Sequence, residues 1–112
     1  MGSALAQRGD FDGAEQQYEL AILNDPKPAG AYNELGALSL ERKRYEFAVS
    51  CFRHAIEHEP RLAGTHVNLG VALAMEGHSQ EAAAEFKKAI EIDPSNKDAA
   101  ANLTRLNAAL NQ

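Results

Sequence analysis

The sequence is short of several things, and each shortage closes off a class of function. It has one cysteine, Cys51. No internal disulfide can form, so the fold must stand on packing alone, which suits a reducing compartment such as the cytoplasm. Basic residues are few: 11 Lys and Arg against 16 Asp and Glu leave a net charge of -5. That is the wrong sign for a surface gripping a phosphate backbone, and no nucleic-acid partner is expected. No uncharged apolar run approaches a bilayer span, and Met1-Gly2-Ser3 does not open an export signal, so neither membrane insertion nor a leader is expected. The 4 prolines and 8 glycines are scattered, not clustered. What remains is 112 residues, 45% hydrophobic and 24% charged, the composition of one folded module with its own core.

Three of the prolines are evenly placed. Pro26, Pro60 and Pro94 stand 34 residues apart, and each follows an acidic residue: Asp25, Glu59 and Asp93. The same interval relates Ala14, Ala48 and Ala82, then Tyr18, Phe52 and Phe86, then Ala21, Ala55 and Ala89, and also Leu35-Gly36 and Leu69-Gly70. A fixed period of this size means a repeat architecture. The units run 1–28, 29–62 and 63–96, with a final segment over 97–112.

Each unit reads as two helices. In the third, Thr65 to Glu76 carries Val67, Leu69, Val71, Ala72 and Leu73, and Gly77 permits the left-handed turn that ends a helix. Ser79 to Ile92 then places Ala82, Ala83, Phe86, Ala89 and Ile90 at i, i+3, i+4, i+7 spacing, until Pro94 stops it. Ser95, followed three residues on by Asp98, resembles a capping box that opens a last helix over Ala99 to Leu110. The recurring small residues, Ala48/Ala55, Ala82/Ala89, Gly36 and Gly70, let paired helices approach closely. Tyr18, Phe52 and Phe86 are the knobs that fill the space between successive hairpins. A proline every 34 residues excludes a continuous coiled coil.

This pattern, Leu-Gly, then Ala, aromatic, Ala and Pro at a 34-residue period, resembles the tetratricopeptide repeat over essentially the whole chain. The resemblance implies an all-α solenoid of antiparallel helix hairpins wound into a right-handed superhelix. It also implies a non-enzymatic protein-interaction module without a cofactor. The period and the acidic balance speak against the related 35-residue RNA-reading repeats. Two departures stand out. The bulky aromatic kept as Tyr32 becomes His66 one repeat on, and Thr104 replaces the glycine expected from Gly36 and Gly70. The second marks the final helix as a solvating cap that admits no following hairpin. The first unit is incomplete: aligned on Ala29 to Arg42, its opening helix needs about six residues before Met1. That edge, around Leu5, Tyr18 and Ile22, is left open to stacking or to a second copy.

In such a stack the first helix of each pair lines the concave side. The positions offset from the Leu-Gly row are Asn33, Glu34, Ala37 and Glu41 in the second unit. In the third they are Val67, Asn68, Val71, Ala74 and Met75, and in the cap Asn102, Arg105 and Ala109. Asn68 and Asn102 each precede a packed leucine, where a carboxamide can donate and accept at once and so hold peptide backbone. Some superhelical members of the family use such an asparagine ladder, although Glu34 breaks it here. The other reading is of solvated or locally capping asparagines. Val67, Val71 and Met75 form an apolar stripe at i, i+4, i+8, either covered by a neighbouring helix or lining a side-chain pocket.

A clamp for a terminal carboxylate, as in the family's chaperone-binding modules, is not expected: the matching sites after the first unit, Asn33, Ala37, Asn68, Asp98 and Asn102, contain no cation, and Arg105 lies one turn away. His54 and His58 share a face at i, i+4 but lack a third ligand and read as solvated, as does the turn Arg42-Lys43-Arg44. Cys51 reads as a small half-buried hydrophobe. No phosphate-cradling loop, triad or confined carboxylate pair is present, so no catalysis and no metal are expected. The expected function is binding of an extended peptide or partner helix in the concave groove; the alternative is self-association through the N-terminal edge or the cap.

Overall fold

The computed structural model describes residues 11–110. The readings placed on residues 1–10, including Leu5, lie outside them. Six helices follow in order, with no strand among the described residues: α1 (Phe11–Asn24), α2 (Ala29–Glu41), α3 (Tyr45–His58), α4 (Ala63–Met75), α5 (Ser79–Ile92) and α6 (Lys97–Leu110). Helix α5 has the bounds its periodicity predicts. Helix α4 opens two residues before the predicted Thr65, because the Leu62 carbonyl accepts from both Thr65 and His66 amides.

Helices α2 and α3 form one closely packed hairpin and α4 and α5 the next, with α3 against α4 and α5 against α6 joining them. The first helices touch in succession, α2 with α4 and α4 with α6. That arrangement is the α-solenoid, and it leaves α2, α4 and α6 as one continuous face.

The close approach within each hairpin has a visible cause. A methyl group on Gly36 would lie 2.6 Å from Phe52 Cε1, and one on Gly70 only 2.5 Å from Phe86 Cε1. Each phenyl ring therefore occupies a notch that only glycine provides. The same rings reach the next unit: Phe52 and Phe86 share one core with Val67, Leu69, Leu73 and Ala99. Tyr18 belongs to a second cluster, with Ala14, Leu35, Leu38 and Cys51.

The acid before each proline also acquires a role. Asp25 Oδ1 accepts from the Lys27 amide, Glu59 Oε1 from the Arg61 amide, and Asp93 Oδ1 from the Ser95 amide. Each satisfies a backbone amide of the turn just after the proline. This turn also corrects the expected capping box. Ser95 spends its hydroxyl on Asp93 Oδ1 at 2.6 Å, and Asn96 caps α6 instead by accepting from the Ala99 amide at 2.9 Å.

The turn between α2 and α3 is less free than the sequence suggests. Lys43 holds a φ of 62°, the left-handed conformation that Gly77 adopts at 88° in the equivalent turn. Its neighbours reach back to α1. Arg42 pairs with Asp12 at 3.2 Å and Arg44 with Glu15 at 3.4 Å, while their guanidinium groups sit over the Phe11 and Phe47 rings. These arginines tie the first described helix to the following hairpin, where a solvated turn is expected.

Candidate functional site

On the face shared by α2, α4 and α6 the 34-residue period sets out three rows of residues. The first is Glu34, Asn68 and Asn102; the second Ala37, Val71 and Arg105; the third Glu41, Met75 and Ala109. Between α4 and α6 the face opens into a cleft of about 310 Å³, lined by Val71, Ala74, Met75, Phe86, Asn102, Arg105, Leu106 and Ala109. Its floor is apolar: Phe86 is fully buried, Val71 and Leu106 half-buried, and Met75 stands at the rim with 56% of its surface exposed. The polar groups there are the Asn102 carboxamide and the Arg105 guanidinium.

Of the expected groove residues, the cleft thus brings together Val71, Ala74, Met75, Asn102, Arg105 and Ala109. Asn68 and Asn33 meet beside it, the Asn68 Nδ2 donating to Asn33 Oδ1 at 3.4 Å and so bridging α4 and α2. Ala37 is half-buried against the core, and Glu34 and Glu41 are exposed. Val67 stands apart. It is 7% exposed and belongs to the core with Phe52 and Leu73, because residues at i, i+4, i+8 rotate by about 40° at each step and the stripe turns into the interface at its start. Asn102 donates from Nδ2 to the Asp98 carbonyl at 2.8 Å, a local bond on its own helix that leaves its Oδ1 to accept. Phe86, read from the sequence as a packing knob, also lines the cleft, as does Leu106, which nothing in the sequence singles out.

A second cleft of about 420 Å³ lies between α1 and α3, lined by residues including Ile22, Leu23, Tyr32, Phe47, Cys51 and His54. One repeat on, the same positions are Ile56, Glu57, His66, Glu81, Glu85 and Lys88, and that seam is crossed by the Arg53–Glu81 pair at 3.3 Å. Its apolar character is thus particular to the first seam. Burial, and then the Glu15 carboxylate, push the Cys51 thiol up to about 11, so it is held as the unreactive protonated form. His54 and His58 do not simply face solvent: both rings stack on Tyr32, with centroids at 5.0 and 6.0 Å. Among the described residues no three His, Cys, Asp or Glu side chains gather as a metal site, and no helix is long and apolar enough to cross a membrane.

His66, the residue that replaces the aromatic, is buried. Its Nδ1 lies 2.8 Å from Glu85 Oε1 and its Nε2 2.9 Å from the Pro60 carbonyl. It ties α4 to α5 and to the turn before α4. No sequence signal distinguishes it from a solvated histidine; only its place in the Tyr32 column does.

The first tetratricopeptide repeat domain of Spaghetti (RPAP3), bound to the HSP90 peptide SRMEEVD, superposes with a TM-score of 0.93 at 20% identity, over 99% of this chain and 88% of that one. The second such domain of human RPAP3, in complex with the HSP70 peptide SGPTIEEVD, gives 0.89 at 23% identity, over 95% and 88%. The repeat domain of Arabidopsis OM64 gives 0.86 at 26% identity, over 94% and 87%. No curated protein sequence matches the chain. Tetratricopeptide repeat profiles match residues 1–61 and again residues 63–96. The chain belongs to the tetratricopeptide repeat family.

Proposed function

We propose that this chain is a non-catalytic interaction module that binds an extended peptide along the face of α2, α4 and α6, seating one apolar side chain between α4 and α6. The observation that carries this reading is the cleft itself, an open apolar hollow with a carboxamide and a guanidinium at its edge. At about 310 Å³ it accommodates one or two side chains, at the small end of ligand pockets. Met75 offers a flexible, polarizable wall for it. Asn68 exchanges its long contact with Asn33 for peptide backbone, and Asn102 accepts a peptide amide through Oδ1. The peptide complexes formed by fold neighbours support the general mode.

The test begins with partners captured from a cell extract and reduced to a minimal peptide measured by calorimetry. Joint Asn68→Ala and Asn102→Ala replacement is expected to weaken that peptide by about 1–3 kcal/mol, the scale of lost satisfied hydrogen bonds. Met75→Asp, which puts a carboxylate over the apolar floor, is expected to abolish binding. Affinity indifferent to all three changes would remove the groove from consideration.

The alternative is self-association through the N-terminal edge or the cap, and of these the cap route meets an obstacle. Thr104 occupies the position of Gly36 and Gly70, where a methyl alone would collide with an incoming aromatic ring. The outer face of α6 presents Ala100, Thr104, Asn107 and Ala108, all exposed.

A further inference from the structure

The groove is graded in charge from one end to the other. Helix α2 brings Glu34 and Glu41, exposed, seven residues apart and therefore on one side of the helix. Neither has an ion-pair or hydrogen-bond partner among the described residues, whereas Asp12, Glu15, Glu81 and Glu85 are all engaged. Helix α4 contributes the amide of Asn68 and the apolar Val71 and Met75. Helix α6 ends the series with Arg105, exposed and also without a carboxylate partner among the described residues. Apart from the asparagine shared by positions 68 and 102, the residue type changes at each of these positions from one repeat to the next.

We infer that the segment bound in this groove carries a lysine or arginine opposite Glu34 and Glu41, set about four residues from the apolar side chain that fills the Val71–Met75–Leu106 cleft. This deepens the peptide-binding reading and rests on it. The spacing follows from geometry. Packed helices lie about 8–10 Å apart, so the distance from α2 to the cleft midway between α4 and α6 is one and a half spacings, about 12–15 Å. An extended chain covers that in about four residues at 3.3–3.6 Å each. Two unpaired carboxylates attract a cation and repel an acidic run, and such charge pairing sets specificity and encounter rate more than total affinity. Peptides with consecutive glutamates, such as those seen in the fold neighbours, meet like charge here.

The test is selection from a displayed library of random decapeptides on the full chain, repeated on Glu34→Gln/Glu41→Gln and on Met75→Asp. Both glutamates are exposed, so their replacement leaves the core intact. Selected sequences are expected to share Lys or Arg about four residues from Leu, Met or Phe. The double glutamine variant is expected to bind them about fivefold more weakly, as befits two exposed ion pairs, and the preference should fade in high salt. Selected peptides that need Met75 yet show no basic preference, or prefer Asp and Glu, would overturn the charge inference and leave the groove reading standing. A library that yields no binder sensitive to Met75→Asp would overturn both.

Discussion

Replacing Gly70 with alanine tests the packing on which the whole solenoid depends. In an ordinary helix interior the change stabilises by about 1 kcal/mol, because alanine is the better helix former. Here the added methyl would stand 2.5, 2.8 and 2.9 Å from three carbons of the Phe86 ring, against a comfortable carbon–carbon separation of about 3.5–4.0 Å. The ring must retreat by about 1 Å, yet Phe86 is 2% exposed and enclosed by Leu69, Leu73 and Ala82. Overpacking of this kind costs about 1–3 kcal/mol, and three simultaneous contacts place it at the upper end. The net expectation is a loss of about 2 kcal/mol after the gain in helix propensity, or a fall in Tm of about 8 °C for a domain of this size. Gly64→Ala, in the same helix with nothing within 4 Å of the new methyl, is the matched control and should raise Tm by about 2 °C. Urea and thermal unfolding report both. A double-mutant cycle with Phe86→Leu sharpens the argument: the smaller side chain should cost less in the Gly70→Ala background than in the wild type. Equal stability of Gly70→Ala and the wild type, or an unchanged cost of Phe86→Leu, would refute the close-approach account.

Three further outcomes are expected. Lys43→Gly relieves a left-handed backbone that costs an L-residue about 1 kcal/mol, partly offset by the entropy of glycine in the unfolded chain; a gain of about 0.5 kcal/mol in urea unfolding, absent in Lys43→Ala, is the result to look for. His66→Ala removes the ring that bridges Glu85 and the Pro60 carbonyl in a buried setting and should cost about 3 kcal/mol, measured by thermal unfolding. The folded thiol of Cys51 titrates near 11 against 9.0 for the ordinary group, so the unfolded chain loses its proton first. Below about 9 the group has no effect, and as pH climbs from there towards about 11 stability falls. Unfolding profiles of wild type and Cys51→Ala compared across that range should diverge in this direction, and parallel profiles would show the thiol to be freely solvated.

The fold was legible because its determinants repeat. Alanine at 48 and 82, phenylalanine at 52 and 86, and the glycines at 36 and 70 each do one packing job twice, and a job done twice leaves a period in the sequence. Details that depend on one local competition were not legible. Asn96 caps α6 because Asp93 has already taken Ser95, and a pattern of residue types does not say which of two adjacent polar side chains wins. The arginines of the α2–α3 turn read as solvated because their partners, Asp12 and Glu15, lie about thirty residues earlier on another helix.

The site follows the opposite logic. Rows in which the repeats agree are those that stacking dictates. The rows Glu34–Asn68–Asn102, Ala37–Val71–Arg105 and Glu41–Met75–Ala109 differ at nearly every step. Stacking does not dictate these positions, so their variation is where a partner's particular chemistry can enter. Val67 shows the limit of that argument. It too differs from Asn33 and Ala101 in its column, yet it is buried, because its column sits at the margin where the groove face turns into the hairpin interface. Variation between repeats therefore marks candidates, and burial separates those free to meet a ligand from those that only fill space.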